Sequence, residues 1–286
     1  RRDCTERIVR LLGELTSSSR QPLLHTINGS VRNVVRCDWE QLVLSPDVVS
    51  LLKNDFESFF RRESWYLEKG VPFRRGYLLH GAPGNGKSSA IRAMLSGQGL
   101  TAYTLRFFDP HVDDADLEHL FDRALRERPS MILLEDIDRA FPRTSESKTG
   151  ISLQALLNAL DGVGSGQGIV VVATANEPTL LDPAILKRPG RFDRVVHFGN
   201  PDESLRHKFF SRFMPELSAV ELTETVSITS GFSFAQLREV FVLAGQFAFE
   251  RDAKMESGDL CRAAISLRDS SSAASRSQFA AGFISC

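Results

Sequence analysis

A glycine-rich loop between a strand-like run and a helix start restricts the fold more than any other feature of the sequence. The apolar run Tyr77–Leu79 leads into Gly81-Ala82-Pro83-Gly84-Asn85-Gly86-Lys87-Ser88, where a helical pattern begins. This string fits the pattern G-x-x-x-x-G-K-[ST], in which glycines allow a tight loop whose backbone N–H groups converge on phosphate. A chance match is expected in about one of a hundred chains of this length. The loop therefore predicts an α/β fold with a phosphate site.

The residue types of the loop also predict what is bound. The following helix N-terminus adds partial positive charge, and Lys87 is expected to reach the β- and γ-phosphates. Ser88 is expected to offer its hydroxyl to Mg²⁺, and Ser89 completes the binding set. ATP and Mg²⁺ are the cofactors predicted from these residues.

Beyond the loop, short apolar runs alternate with helical patterns, which is typical of a parallel sheet with crossover helices. After Asn200-Pro201 the strand-like runs stop and only amphipathic helical spacing remains. The sequence thus predicts an α/β fold, a doubly wound parallel sheet, with a small C-terminal all-helical lid domain. The predicted strands are 77–80, 102–106, 131–134, 169–173 and 195–198, and the predicted helices are 88–95, 116–126, 152–160, 205–213, 221–225 and 234–249.

Four segments are expected along the chain. Scattered apolar residues at the start are too few for an independent core, so we interpret that stretch as the end of a truncated domain. The end of the chain is rich in Ser and Ala and need not be ordered. The segments are 1–44 (N-terminal segment), 45–200 (α/β core), 201–265 (helical lid, with a capping box predicted at Ser233 and Gln236) and 266–286 (tail).

A second motif places two acids at the end of a strand. The run Met131–Leu134 is followed by Glu135 and Asp136, and doubly wound sheets bind ligands at the carboxyl ends of their strands. Phosphoryl transfer to water needs one carboxylate for the metal and a second that orients and deprotonates the water. We assign Glu135 to the metal and Asp136 to the base. A strand end solvated by acids is the alternative, and the phosphate loop argues against it.

Composition excludes some classes of function. The chain has 35 Lys and Arg against 36 Asp and Glu, so bulk charge does not attract nucleic acid or an anionic membrane. The longest apolar stretch, 169–175, is far below the roughly 18 to 20 residues that span a bilayer. Because the first residue is arginine, membrane association through an upstream segment stays open. A cytoplasmic or equivalent reducing compartment is expected, since no metal or C-x-x-C spacing links Cys4, Cys37, Cys261 and Cys286.

With these motifs the sequence resembles the AAA family of ATPases, and within it the Bcs-type branch, known as chaperones of the respiratory Rieske iron–sulfur protein. The resemblance runs from about Leu44 to Arg251. It implies a P-loop NTPase core in a homo-oligomeric ring, a hexamer or heptamer, that acts on a protein client. Besides the two motifs it rests on Trp65-Tyr66, on Gly70-Val71-Pro72-Phe73-Arg74-Arg75-Gly76-Tyr77-Leu78-Leu79 and on Leu156-Leu157-Asn158-Ala159-Leu160-Asp161-Gly162.

The resemblance implies further site residues. Asn176, after the fourth predicted strand, matches the residue that senses the γ-phosphate, although an Asn there is commonly only a turn former. Arg188 and Arg191, in the string Arg-Pro-Gly-Arg-Phe-Asp, match arginines that reach a neighbouring subunit's ATP. Planar guanidinium groups stabilise charge on the transferring phosphoryl group. Solvated surface arginines are the alternative.

The sequence departs from the family pattern at three places. Most members end the acidic strand with Asp then Glu, and the reversed order here shortens the base by one methylene, about 1.5 Å, which predicts slow turnover. Ala235 stands where other branches carry a lid arginine. Phe107-Phe108-Asp109-Pro110 lacks the aromatic-apolar-Gly pattern of a pore loop, and we interpret the doublet as core.

Three functions are compatible with these features. The first is a ring-forming ATPase that remodels or translocates a protein client. The second is an ATP-binding scaffold or switch with little turnover, which only the Glu135-Asp136 order favours. The third is a nucleic-acid motor, which the near-neutral charge and the lack of a DNA-binding motif make the weakest of the three.

Overall fold

A computed structural model of the chain describes residues 21–143, 149–162 and 168–282, with side chains described as far as residue 270. These residues divide into two compact units. The first unit is made from residues 21–42, 46–82 and 86–198 of that set, and the second from 43–45, 83–85 and 199–282. The phosphate loop contributes to both, because its three central residues belong to the second unit.

A mostly parallel sheet forms the centre of the first unit. Within the described residues it has seven strands in the order β2-β1-β4-β5-β6-β3-β7, and only the β1–β2 pair is antiparallel. The five predicted strands are confirmed, with ends that differ by up to three residues. The strands are β1 (Leu23–Thr26), β2 (Val31–Asn33), β3 (Arg74–His80), β4 (Thr101–Thr104), β5 (Ser130–Leu134), β6 (Ile169–Ala175) and β7 (Arg194–His197).

The strand order places a ligand crevice at the carboxyl end of β3. From β3 the chain crosses to β4 on one side, and after β6 it passes β3 to reach β7 on the other. Such a switch in direction leaves a crevice beyond the strand ends. Every residue of β5 and β6 is buried, which explains why their sequences are apolar without alternation, apart from Ser130 and Thr174. The phosphate loop starts at this crevice.

The N-terminal segment differs from its prediction. Residues 21–42 do not stand apart from the core of the first unit, since β1 pairs with β4 in parallel and β2 extends the sheet by one further strand, while Val43 and Leu44 belong to the second unit. These strands have only four and three residues, which is too short to show the alternation of apolar and polar residues that is typical of a strand. The sequence therefore did not predict them. Residues 1–20 lie outside the described part of the chain.

The predicted helices of the first unit are confirmed, and further ones are added. The longest addition is α1, whose buried Leu52, Phe56 and Phe59 recur at helical spacing. Asp113 is the N-cap of helix α4, and its carboxylate accepts the N–H groups of Ala115 and Asp116 at 2.9 and 3.1 Å. The helices are α1 (Pro46–Arg61), α2 (Glu63–Glu68), α3 (Lys87–Gln98), α4 (Asp114–Arg126), α5 (Ile137–Ala140), α6 (Leu153–Gly162) and α7 (Pro183–Lys187).

The second unit is helical, as predicted for the lid. Its helices α8 (Glu203–Phe213), α9 (Ala219–Ile228), α10 (Phe234–Glu250) and α11 (Ser257–Gly282) enclose an apolar core. The predicted capping box is present, because Ser233 accepts from the Gln236 N–H while the Gln236 side chain accepts from the Ser233 N–H. The predicted tail differs: the α11 backbone is helical as far as Gly282, and 283–286 lie outside the described residues.

Asp55 of α1 ties that helix to two strands of the sheet. Its carboxylate accepts from Arg75 Nε at 3.0 Å, the Tyr77 hydroxyl at 2.8 Å and Arg194 Nη2 at 2.9 Å. Burial alone raises the pKa of Asp55, but hydrogen bonds from Arg75, Arg194 and Tyr77 outweigh it and lower the pKa to about 2. The ionised carboxylate therefore stabilises the first unit.

We expect this contribution to disappear in acid. Because the folded pKa is depressed, the stability is present above the unfolded value and is lost as pH falls toward 2. Between about pH 5 and pH 2, the wild type should lose about 2 kcal/mol more than Asp55→Asn. Urea unfolding followed by tryptophan fluorescence measures it, since both tryptophans, Trp39 and Trp65, lie in the first unit. Equal pH slopes for the two proteins would contradict the assignment.

Candidate functional site

The phosphate loop leaves β3 in a conformation that requires glycine. Gly81 and Gly86 have φ values of 135° and 95°. A Cβ atom on Gly81 would lie 2.2 Å from the carbonyl oxygen of Phe198, so no larger residue fits there. Gly86 is the N-cap of α3. The first N–H groups of a helix have no partner within the helix, so the start of α3 suits the binding of a phosphate.

Lys87 lies back across the loop. Its ammonium group donates to the carbonyl oxygens of Gly81 and Ala82 and, at 3.0 Å, to Asn176 Oδ1. The side chain is buried, and this desolvation lowers the pKa of Lys87, an effect that the negative charges of Asp136 and Asp138 partly oppose. Ser88 is exposed beside it and Ser89 is half-buried.

The tip of the loop belongs to the second unit. There the carbonyl oxygen of Gly84 accepts the N–H of Ala235 at 3.0 Å. Asn85 is buried, donates to Asn200 Oδ1 at 2.8 Å and accepts the N–H of Phe234 at 3.4 Å. A Cβ atom on Gly84 would lie 2.6 Å from the Ala235 side chain, so the start of α10 leaves room there only for glycine. Within this unit, the lid helix holds the loop tip.

The two predicted acids follow β5 and have different surroundings. Asp136 has a left-handed backbone, with φ 52°, and its N–H donates to Thr174 Oγ1 at 3.0 Å. Such backbone conformations in residues other than glycine are uncommon and often occur at functional sites. Glu135 is exposed, yet the protein atoms around it raise its pKa by desolvation, and the negative charge of Asp136 adds to the shift.

Asn176 connects the loop to the acids. It follows β6 and is half-buried; its Oδ1 accepts from Lys87 at 3.0 Å, while its Nδ2 lies 3.5 Å from Asp136 Oδ1. Asn176 follows β6, Asp136 follows β5, and Lys87 is the first residue of α3. The structure thus brings together three of the predicted site residues.

The two predicted arginines form a separate cluster around Asp161. Arg191 is buried and donates to both oxygens of Asp161 at 2.8 and 2.7 Å, while Arg188 also binds Asp161 but keeps 65% of its side chain exposed. Hydrogen bonds from Arg191 outweigh the effect of burial and lower the pKa of Asp161. Among the described residues, neither arginine bonds to Lys87, Asn176 or Asp136.

Comparison with known proteins finds a family match that covers the phosphate loop and the strands around it. Residues 77–200 match the family described as ATPase family associated with various cellular activities (AAA). The chain contains an AAA domain. A probable mitochondrial chaperone BCS1-A of Dictyostelium discoideum is 37% identical over 182 residues, 60% of this chain and 42% of that protein. The mitochondrial chaperone BCS1 of Danio rerio is 35% identical over 216 residues, 71% of this chain and 51% of that protein.

The relatives extend beyond one branch of the AAA family. An ATP-dependent zinc metalloprotease FtsH of Caldicellulosiruptor bescii is 33% identical over 196 residues, 64% of this chain and 32% of that protein. The predicted resemblance to an AAA ATPase of the BCS1 type is confirmed. The chain spans about half the length, or less, of these relatives.

The phenylalanine doublet of the AAA domain was only partly predicted. Phe107 is buried and packs edge-on against Phe141 at 5.3 Å between ring centroids, as expected of core. Phe108 is 48% exposed, and the Arg139 guanidinium lies 5.3 Å from its ring centroid. Adjacent residues in an irregular segment need not share an environment, so the interpretation as core is wrong for Phe108.

Two contact residues of the site were missed from the sequence. Asp161 was noted only as part of a string that resembles the family, and Thr174 only as part of the apolar stretch 169–175. Both are polar residues in or next to apolar runs, and that exception to the apolar pattern was the available signal. Within the described part of the chain, no helix is long and apolar enough to span a membrane.

Proposed function

We propose that this chain hydrolyses ATP within a homo-oligomeric AAA ring, a hexamer or heptamer, and uses turnover to remodel or move a protein client. The contacts of Asn176 support hydrolysis most directly. Its amide contacts both Lys87 and Asp136. Lys87 has the charge to bind phosphate, and Asp136 can accept a proton from water. A side chain that contacts both Lys87 and Asp136 can act as a sensor, because it links the binding of phosphate to the position of the base.

The proposed roles follow from position and charge. Backbone N–H groups of the loop from Gly81 to Gly86, except Pro83, which has none, bind the phosphates together with Lys87 and Ser89. Asn176 orients the attacking water, and Asp136 accepts its proton, a role favoured by the 3.5 Å separation of the two side chains. An amide cannot replace a carboxylate as a base, so Asp136 carries the chemical step.

Ser88 and Glu135 are the protein groups proposed to hold Mg²⁺. The ion prefers oxygen ligands and usually takes one or two from the protein, with substrate phosphates and water as the rest. Both side chains are exposed, and in the described residues no group of three or more His, Cys, Asp or Glu could hold a metal alone. The residues present therefore fit a metal that arrives with ATP. Such an ion neutralises charge on the β- and γ-phosphates.

Steady-state phosphate release tests the proposal against its alternatives. Turnover that requires Lys87 and Asp136 would support an ATPase. Tight ATP binding without turnover would favour the scaffold or switch, and a rate raised by DNA or RNA would favour the nucleic-acid motor.

A protein client is proposed by analogy with relatives that are named as chaperones. Pull-down with Asp136→Asn in ATP is the experiment that would identify the client, since that variant should stay in its ATP-bound form. A reducing compartment is proposed because no metal or C-x-x-C spacing links the cysteines, and the BCS1 relatives, named as mitochondrial, favour a mitochondrial one.

Arg188 and Arg191 are proposed to have separate roles. The exposed Arg188 is free on one side to enter a neighbouring subunit's site, whereas Arg191 is buried against Asp161. Removing Arg191 would leave Asp161 with one exposed partner and would disturb the fold. Arg188 is therefore the better arginine for a test of action between subunits.

We expect Lys87→Ala and Arg188→Ala to be inactive alone and partly active when mixed. In a randomly assembled ring, a site with intact Lys87 meets an intact Arg188 at about a quarter of interfaces. The mixture should therefore recover about a quarter of the wild-type ATPase rate. Subunit exchange must first be shown by pull-down of a tagged partner in ATP. Proven mixing without recovered activity would mean that Arg188 acts within its own chain or that all subunits must act together.

A further inference from the structure

Asp138 is a buried carboxylate that none of the roles above uses. It lies two residues after Asp136, in α5, and only 4% of it is exposed. Its Oδ2 accepts the backbone N–H groups of Asn176 at 2.9 Å and Glu177 at 2.8 Å. Its Oδ1 is buried without a hydrogen-bond partner among the described residues. Burying a carboxylate that has one unsatisfied oxygen costs free energy. Stabilisation of the core therefore does not explain why a carboxylate stands at this position.

Asp138 and Thr174 make hydrogen bonds between the end of β5 and the end of β6. In each bond, a side chain from one strand end accepts a backbone N–H from the other. Thr174 Oγ1, on β6, accepts the N–H of Asp136, while Asp138, beyond β5, accepts the N–H of Asn176. These bonds run in opposite directions between the same two strand ends. They set the position of one backbone relative to the other at the point where both leave the sheet.

The position of Asn176 matters because its amide makes two contacts in different directions. Oδ1 meets Lys87 at 3.0 Å and Nδ2 lies at the limit of bonding distance, 3.5 Å, from Asp136. A shift of the Asn176 backbone by about 1 Å would break one or both contacts. Asp138 holds that backbone at two successive N–H groups.

We propose that Asp138 is a positioning residue for ATP hydrolysis: it fixes the backbone of Asn176 so that the Asn176 amide meets Lys87 and Asp136. Asp138 itself touches neither substrate nor water in this role. The inference rests on the proposed function for its kinetic effects. A purely structural Asp138 would change stability but not the rate per folded molecule.

Two substitutions separate the hydrogen bonds of Asp138 from its charge. Asp138→Ala removes the acceptor, and kcat should fall about 10- to 100-fold while KM for ATP stays within about threefold. Asp138→Asn keeps one carbonyl oxygen for the two N–H groups, and kcat should stay within about threefold of wild type. Wild-type kcat in Asp138→Ala would overturn the inference.

Ser130→Ala is a matched control at the other end of β5. Ser130 is fully buried and donates to the carbonyl oxygen of Ala124 at 2.7 Å, so the variant also loses a buried hydrogen bond, here between β5 and α4. It should lower the thermal midpoint without changing kcat. An equal loss of kcat in Ser130→Ala would overturn the inference, because general destabilisation would then explain both.

A double-mutant cycle tests whether Asp138 acts through Asn176. Asn176→Ala should lower kcat, and adding Asp138→Ala should lower it little further, because the side chain that Asp138 positions is already gone. Losses that multiply would overturn the proposed route.

Nucleotide affinity gives a readout that needs no turnover. If Asn176 senses the γ-phosphate, Asn176→Ala should reduce the ratio of ATPγS to ADP affinity measured by calorimetry with Mg²⁺, and Asp138→Ala should reduce it similarly. A wild-type chain that binds but does not hydrolyse ATP would refute the proposed function alone. Asp138→Ala with the wild-type ratio, beside an altered ratio in Asn176→Ala, would refute the positioning role alone.

Discussion

Lys87→Ala should weaken ATP binding by about 100-fold or more, because it removes charge-assisted hydrogen bonds to phosphate. The fold should be kept, since the partners of Lys87 are two loop carbonyl oxygens and the Asn176 side chain, and not residues of the apolar core. Isothermal calorimetry measures the affinity and thermal unfolding checks the fold. The lowered pKa of Lys87 adds a second expectation: wild-type affinity should fall as pH rises through that pKa, and Lys87→Ala should lack this fall.

Lys53→Ala is the control for loss of a lysine. Lys53 lies on α1, and its ammonium pairs at 3.0 Å with the largely exposed Glu40. Ion pairs at the surface contribute little to the free energy of unfolding, and this pair is not part of the phosphate loop. The affinity for ATP and the thermal midpoint of Lys53→Ala should therefore both match wild type. Unchanged ATP affinity in Lys87→Ala would remove the basis for placing phosphate in this loop.

Asp136→Asn should bind ATP normally and lose about 100- to 10,000-fold in turnover, because an amide cannot accept the proton of water. The substitution keeps size and shape, and the hydrogen bond to Thr174 comes from the backbone N–H, which remains. Single-turnover phosphate release, beside calorimetric affinity, separates chemistry from binding.

Glu135→Gln is the matched comparison on the neighbouring acid. If Glu135 serves the metal, this variant should need more Mg²⁺ for half-maximal activity and should regain turnover at high Mg²⁺. The opposite pattern, in which Glu135→Gln abolishes hydrolysis at every Mg²⁺ concentration while Asp136→Asn stays active, would show that the two roles are exchanged.

Several local features of this protein could be determined from the sequence alone. The phosphate loop, the five parallel strands and the helical lid rest on short-range patterns, namely glycine spacing, apolar runs and amphipathic periods. The capping box at Ser233 and Gln236 was also predictable, because both partners lie within one helical turn. Such features depend on neighbours in the chain, which the sequence displays directly.

Only the tertiary structure decided which side chains meet. Asn176 contacts Lys87 and Asp136 across 89 and 40 positions of sequence, and such contacts depend on the strand order and register. Arg188 and Arg191 lie in one short string, yet packing against Asp161 buries one and leaves the other exposed. Residue type and spacing do not determine burial at the end of an element. The backbone bonds of Asp138 likewise exist only because β5 and β6 pair side by side.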